Sequence, residues 1–135
     1  MSLNFIAVEG CTLEFQDGGS PNSAITINPN QVSTKVKAGG KGVYKTLKFT
    51  ILGYTASSAK KQYWVAGSGS GSGEINASSQ NVKVEGNAVI LEGDVSSTIT
   101  ISGMEQLPGS TNPTPTTTTD FVKVTKAGQS KVKGA

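Results

Sequence analysis

The sequence predicts an all-β domain built from short β-hairpins, and three observations lead to that prediction. Glycine is abundant, at 17 of 135 residues. Short runs rich in Val, Ile and Thr alternate apolar with polar residues and are bounded by Gly-, Asn- and Asp-containing turns. No stretch has the apolar spacing of an amphipathic helix. Because only 35% of the residues are apolar and 6% aromatic, the core must be thin.

The first part of the chain predicts three short strands. Residues 3–8 form an apolar strand that ends before Gly10, and residues 12–15 form a second strand with alternating apolar side chains. Residues 24–27 form a third strand, which stops before Pro29 because proline has no amide to continue a ladder.

The first predicted hairpin has two glycines at its turn. Gly39 and Gly40 form the turn, and Val36 faces Val43 across it. A strictly alternating strand over 47–51 follows.

The second hairpin, residues 80–94, is the pattern around which the rest of the prediction is organised. Gly86 and Asn87 are predicted to form a two-residue II′ turn, because glycine takes the required positive φ. Gly93 and Asp94 form the next turn. The apolar side chains that this register puts on one face are Val82, Val84, Val89 and Leu91, with Val84 opposite Val89 and Val82 opposite Leu91.

Two segments of the chain share an order of features. Residues 31–53 and 80–103 each contain a glutamine, a Lys-Val hairpin with a glycine tip, and an alternating strand that ends at glycine. This order indicates a weak internal repeat with a period of roughly 50 residues.

The segment between the two units predicts a strand and a loop. Residues 60–65 are predicted as a strand whose aromatic side chains, Tyr63 and Trp64, cap one end of the core. The Gly/Ser-rich run over 66–73 is predicted to be a flexible loop.

Composition sets the predicted domain boundaries. Residues 1–104 form the compact β domain, and residues 105–119 form a Thr/Pro-rich linker, because they have few apolar side chains to bury. Residues 120–135 are predicted as a short strand and a basic tail. The apolar residues at 121–125 are expected to fold back onto the body, whereas residues 126–135 are expected to be disordered.

The composition removes most catalytic mechanisms. Histidine is absent, so no Ser-His-Asp or Cys-His pair and no imidazole metal site can be assembled. Cys11 is the only cysteine, and we expect it to act as a small buried hydrophobe. Glu92 and Asp94 are interpreted as solvated turn residues rather than as an acid–base couple. We therefore predict no catalytic, cofactor-binding or metal-binding residues, and no enzyme activity.

The charged residues disfavour nucleic acid as a partner. All 12 basic residues are lysines, and against nine acids they give a formal net charge of +3. Nucleic acid is not predicted as a partner, because sequence readers use arginine for guanine edges and phosphates. The N-terminus lacks the features of a signal peptide, so we expect synthesis in the cytoplasm without a cleaved signal.

The order of these motifs resembles that of PAAR and PAAR-like proteins. Residues 72–73 followed by residues 82–94 are similar to the repeat unit of that family, which is a strand, a Gly-centred turn, a small residue, a valine and Gly-Asp. Residues 10–13, 25–27 and 35–43 are similar to the first half of PAAR-like domains.

The resemblance covers about residues 5–103. It implies a cone of β-hairpins that sits on the blunt end of a trimeric β-helical spike (VgrG-like), one monomer per trimer. Such a tip sharpens the spike of a contractile injection system, for example type VI secretion or a phage-tail-like particle, for membrane puncture. It further implies an effector as a candidate cargo, transient contact with the target membrane, and ejection to the extracellular space or the target cell.

Two points qualify what the resemblance implies. The zinc site of many PAAR proteins cannot be carried over, because this chain has no histidine and one cysteine. The alternative interpretation is a non-enzymatic β-sandwich surface or ligand-binding module, which an exposed aromatic cleft at Tyr63 and Trp64 would favour. The motif and turn residues singled out are Gly10, Gly39, Gly40, Gly86, Asn87, Gly93 and Asp94.

Overall fold

A computed structural model describes residues 3–135 and confirms the all-β prediction, with half of the chain in strands. One 3-10 turn, Asn22–Ala24, is the only helical element among these residues. The strands are β1 (Asn4–Phe5), β2 (Thr12–Phe15), β3 (Ile25–Ile27), β4 (Val32–Ala38), β5 (Lys41–Tyr44), β6 (Lys48–Tyr54), β7 (Gly69–Glu74), β8 (Lys83–Val84), β9 (Asn87–Ala88), β10 (Ile99–Glu105), β11 (Thr114–Asp120), β12 (Val122–Lys126) and β13 (Lys133–Gly134).

The strands form one larger sheet and four two-stranded units. The larger sheet is antiparallel, with the order β11-β10-β7-β6-β3. The small units pair β1 with β13, β2 with β12, β4 with β5, and β8 with β9. Most strands are therefore short, and much of the structure is made of turns.

The prediction of a flexible loop over 66–73 is wrong for residues 69–73. The six residues Gly69–Glu74 form β7, the central strand of the sheet, paired with β6 on one side and β10 on the other. The Gly-Ser alternation has the period of two that a strand requires, so one face carries serines and the other carries only glycines.

The glycines of β7 are needed because large side chains from the neighbouring elements occupy their inner face. A Cβ built on Gly69 would lie 2.7 Å from Tyr54 Cβ and 2.9 Å from Trp64 Cζ2. A Cβ on Gly73 would lie 2.7 Å from Ile99 Cδ1 and also contact Phe49. The central strand thus contributes its backbone to the sheet and leaves the inner space to side chains from β6 and β10.

The predicted linker over 105–119 is wrong for its second part. Thr114–Asp120 forms β11, which pairs with β10 along its whole length, from Thr114 opposite Glu105 to Asp120 opposite Ile99. Threonine favours strands, and Pro115 is tolerated because β11 is an edge strand. An edge strand needs little apolar surface when its backbone groups pair with an existing sheet.

The prediction that residues 121–125 fold back onto the body is confirmed. Val122 and Val124 are fully buried, and β12 pairs with β2. The predicted disorder of the tail is wrong, because Ala127 is buried and β13 pairs with β1. Backbone bonds close the tail onto the first residues of the chain, including Ile6 N–H to Val132 O at 3.0 Å.

The predicted strand over 60–65 is wrong, although its tryptophan does pack on the core. The segment is a series of turns with one isolated bridge, Trp64 to Glu105. The Trp64 ring packs edge-on against Tyr54 and donates its Nε1–H to Tyr54 O at 3.1 Å. Trp64 lies against the inner face of the sheet, so it does not form an open aromatic cleft with Tyr63.

The buried apolar side chains form two clusters. The main cluster lies between the five-stranded sheet and the β2–β12 pair and is built around Phe49, Ile51, Tyr54 and Ile101. The second cluster, which we call the hairpin core, consists of Ile6, Val8, Ala38, Val43, Val84, Val89 and Leu91, with Val82 packed against it.

The two units of the predicted repeat fold in the same order. Hairpin β4–β5 leads into β6, and hairpin β8–β9 is followed by β10, so that β6 and β10 both flank β7. The two glutamines do not match. Gln31 is buried and bonded to four groups around Asn28, Thr46 and Lys48, whereas Gln80 is exposed.

The packing of β7 predicts opposite effects at neighbouring positions. We expect Gly69→Ala to lower the free energy of unfolding by about 1–3 kcal/mol, because its Cβ has no space beside Tyr54. The outward-facing control, Ser70→Ala, should change it by less than about 0.5 kcal/mol. Urea denaturation of both variants measures this difference, and equal tolerance at the two positions would contradict the inward packing.

Candidate functional site

Two hairpins and the N-terminal segment form the hairpin core. Its side chains come from hairpin β4–β5, from hairpin β8–β9 with the residues next to it, and from residues 6–8. Single antiparallel bridges join the N-terminal segment to the other two parts, from Val8 to Val43 and from Ile6 to Leu91. The three parts therefore share one apolar core and are joined by backbone pairing.

The predicted apolar face of the second hairpin is correct, but its turn is displaced by one residue. The turn residues are Glu85 and Gly86, with φ of 48° and 85°. Val84 pairs with Asn87, so the predicted pairing of Val84 with Val89 and of Val82 with Leu91 is wrong. Two consecutive positive φ values make this a type I′ rather than a II′ turn. Asn87 is thus the first residue of β9. The four predicted core side chains, Val82, Val84, Val89 and Leu91, all contribute to the hairpin core.

The strained residue of this turn is held by the neighbouring hairpin. Ser33 donates its hydroxyl proton to Glu85 Oε2 at 2.6 Å. This bond, followed by the positive charges of Lys45 and Lys35, lowers the pKa of the Glu85 carboxyl. A side-chain bond across the two hairpins explains why a residue other than glycine can occupy this positive-φ position.

The first hairpin turns at Gly39 and Gly40 as predicted, with φ of 60° and 83°. Its predicted contact between Val36 and Val43 does not bury both side chains, because Val36 is 40% exposed and Val43 is buried. The reason is local. Ser33 Oγ accepts the amides at positions 35 and 36, which replaces ladder pairing and produces a bulge between Val32 and Lys37.

Two of the remaining singled-out glycines form turns with positive φ. Gly10 has φ of 94°, next to the bond from Cys11 N–H to Val8 O at 3.0 Å. Gly93 has φ of 98° and lies in the turn closed by Asp94 N–H to Leu91 O at 3.0 Å. Only glycine takes such conformations without steric cost.

The interpretation of Asp94 as a solvated turn residue is wrong. Asp94 is 7% exposed, and its carboxylate accepts Leu91 N–H at 2.9 Å, Ser78 N–H at 3.1 Å and the Ser78 hydroxyl. Glu92 likewise accepts the amide of Ala127 at 2.9 Å. Both carboxylates hold backbone segments in place, which is a structural rather than an acid–base arrangement.

Asp120 is a structural residue that sequence reasoning missed. It is 1% exposed and accepts the amides of Asp17, Gly19 and Phe121 at 2.7–3.0 Å and the Tyr54 hydroxyl at 2.6 Å. One sequence feature could have indicated its role. Asp120 is the only acidic residue after Glu105, and it directly precedes an apolar strand.

The groups around Asp120 also attach the neighbouring loop to β11. Burial, followed by the hydrogen bond to Asp120, raises the pKa of the Tyr54 hydroxyl, so Tyr54 stays a proton donor. Lys60 forms an ion pair with Asp17 at 2.9 Å and also donates to Thr119 O. The loop at 17–19 is thereby fixed to the end of β11.

Cys11 and Tyr44 are ionisable groups that contact the main cluster from the hairpin side. Burial raises the pKa of the Cys11 thiol to about 11. Burial, together with the nearby Cys11 and Glu9, raises the pKa of Tyr44 to about 12. Both groups are therefore neutral near pH 7, and the free thiol of Cys11 has low nucleophilicity.

The outer face of the five-stranded sheet is rich in hydroxyl groups. Thr26 pairs with Thr50, Thr50 with Ser72, and Thr100 with Thr119. An open groove of about 640 Å³ lies over β7 and β10. Its lining includes Ser70, Ser72, Glu74, Thr98, Thr100 and Ser102.

Residues 3–135 contain no group of three or more Cys, Asp or Glu side chains close enough to hold a metal ion. None of the helical residues in this range belongs to a segment long and apolar enough to cross a membrane.

Comparison with known proteins gave no relative. No protein-family model, no curated protein and no solved structure matches this chain. The resemblance to PAAR-like proteins therefore depends on the quoted motifs alone.

The buried carboxylate of Asp120 leads to a stability prediction. We expect Asp120→Asn to lower the free energy of unfolding by about 2–4 kcal/mol, because three amides and the Tyr54 hydroxyl lose a charged acceptor. Asp17→Asn, at a carboxylate that is 58% exposed, should cost less than about 1 kcal/mol. Equal losses in calorimetry would show that the burial of Asp120 is unimportant.

The raised pKa values of Cys11 and Tyr44 lead to a pH prediction. Their ordinary values are 9.0 and 10.0, and the folded values are about 11 and 12. Stability is therefore fully present below pH 9 and is lost as the pH rises from about 9 to 12, because unfolding releases protons there. Thermal melts across this range should show a smaller loss for Tyr44→Phe than for the wild type, whereas Tyr63→Phe, at an exposed position, should behave like the wild type.

Proposed function

We propose that this protein is a non-enzymatic structural tip that caps and sharpens the trimeric β-helical spike of a contractile injection system. The observation that carries the proposal is the hairpin core, which the two related hairpins β4–β5 and β8–β9 share. Two related hairpins in a single chain help a monomer to approximate the threefold symmetry of a trimeric partner.

The internal bonding of the chain also suits a mechanical role. Within residues 3–135, every buried side-chain nitrogen or oxygen has a hydrogen-bond partner. Buried carboxylates at Asp94 and Asp120 tie loops to strands that are distant in sequence. A tip that transmits force needs such cross-links, because loops that open easily would deform under load.

The groove on the sheet supports a second candidate function, a surface or ligand-binding module. Its serine and threonine hydroxyls could bind a polar ligand such as a saccharide. The groove is open and has few apolar groups to enclose a ligand, so we rank this function second.

The two functions predict different results when the chain is mixed with the trimeric spike protein from the same source. Size-exclusion chromatography with light scattering should give a complex of one chain per spike trimer if the tip proposal is correct. The Asp120→Asn variant, which we expect to be less stable, is the control for specific assembly. Near its melting temperature it should form less complex than the wild-type protein does.

A result without any complex at micromolar concentrations would contradict the tip proposal. The second function would be favoured if no spike complex forms and the chain binds glycans on an array. The substitution Thr100→Lys should then abolish the glycan binding. Thr100 is exposed in the groove, so this substitution should not disturb folding.

A further inference from the structure

The charged residues are divided unevenly between two parts of the molecule. We define the hairpin half as residues 3–10, 32–45, 80–94 and 126–135, which contain the strands around the hairpin core. It has eight of the 12 lysines and four of the nine acids, a formal excess of four positive charges. The rest of the chain has four lysines and five acids. The lysines of the hairpin half are Lys35, Lys37, Lys41, Lys45, Lys83, Lys126, Lys131 and Lys133.

These positive charges are not neutralised by ion pairs. In the part of the chain that the structure describes, the one ion pair is Lys60–Asp17, outside the hairpin half. Two lysines contact neutral groups instead: Lys41 Nζ donates to Gly128 O at 3.1 Å, and Lys133 Nζ lies 4.8 Å from the centre of the Phe5 ring. The hairpin half therefore presents a net positive surface.

Two exposed Lys-Val-Lys triplets lie within this surface, at 35–37 and 131–133. Their valines are 40% exposed at Val36 and 38% exposed at Val132. Elsewhere in the hairpin half, valines such as Val8, Val43 and Val84 are buried. The exposed aliphatic side chains are thus flanked by ammonium groups.

Gln129 links the second triplet to the first hairpin. Its Oε1 accepts the amides of Lys131 and Val132 at 2.7 and 2.8 Å, which fixes the second triplet. The turn of the first hairpin packs on the same residue, because a Cβ built on Gly39 would lie 2.7 Å from Gln129 Cβ. The second triplet is therefore held next to the hairpin whose strand β4 carries the first triplet, and we call the two triplets together the lysine patch.

We propose that this patch binds an anionic phospholipid surface. Lysines near a negatively charged leaflet are attracted to its phosphates, and short aliphatic side chains among them enter the boundary between headgroups and acyl chains. A nucleic acid fits the patch less well. The protein has no arginine, and the triplets have no exposed aromatic ring on which a base could stack.

Vesicle co-sedimentation of the full-length protein tests the proposal. We expect binding to vesicles of 70% phosphatidylcholine and 30% phosphatidylglycerol at 50 mM NaCl, at least tenfold weaker binding at 500 mM NaCl, and none to phosphatidylcholine alone. Lys35→Gln/Lys131→Gln should weaken binding at least tenfold. The matched control, Lys48→Gln/Lys123→Gln, removes the same charge from the rest of the chain and should change binding less than threefold.

The contribution of the valines is tested separately. Val36→Ser/Val132→Ser keeps every charge and should weaken vesicle binding several-fold while leaving the melting temperature unchanged, because both side chains are exposed. Unchanged binding would show that the contact is purely electrostatic and would overturn the assignment of a lipid interface.

Other outcomes also overturn the proposal. These are no binding to anionic vesicles, equal losses for the two lysine pairs, or tighter binding to a 20-base-pair DNA duplex than to the vesicles. The spike mixture separates this proposal from the proposed function. Vesicle binding without a spike complex would support the lipid-binding proposal and contradict the spike-tip proposal. A spike complex without vesicle binding would support the spike-tip proposal and contradict the lipid-binding proposal.

Discussion

The fold depends on a central strand that has almost no side chains on its inner face. β7 is paired on both sides, and its glycines leave the inner space to Phe49, Tyr54, Trp64 and Ile99. The two strands that flank it, β6 and β10, come from the two halves of the internal repeat. The glycines therefore allow the two halves to form one core, which a chain with few apolar residues could not build from two separate sheets.

Buried carboxylates stabilise the parts that the apolar clusters do not reach. Asp120 joins the loop at 17–19 to the end of β11 and to Tyr54, and Asp94 joins the loop around Ser78 to the second hairpin. In a thin core, each of these charged hydrogen bonds fixes a loop that would otherwise have no buried anchor. The hydrogen bond from the Ser33 hydroxyl to Glu85 joins the two hairpins in a similar way.

The molecule is also divided in charge. The hairpin half is lysine-rich and has exposed valines, whereas the larger sheet has an outer face of neutral hydroxyls and more acids than lysines. This division places the lysine patch and the hydroxyl groove on different strands, so that substitutions can address each separately.

The sequence by itself determined the all-β class, most of the short strands, the Gly39-Gly40 turn and the valine face of the second hairpin, because these follow from local alternation and from the conformations that glycine allows. It also predicted that residues 121–125 fold back, since they are the one apolar cluster near the C-terminus. Only the tertiary structure decided that the Gly/Ser run is the central strand and that the Thr/Pro segment is an edge strand.

Those two segments have the composition of flexible chain, and what makes them strands is pairing with partners distant in sequence and large side chains placed over the glycines. The burial of Asp94 and Asp120 was decided in the same way, because their amide donors come from other parts of the chain, and a pattern of nearby residues does not contain that information.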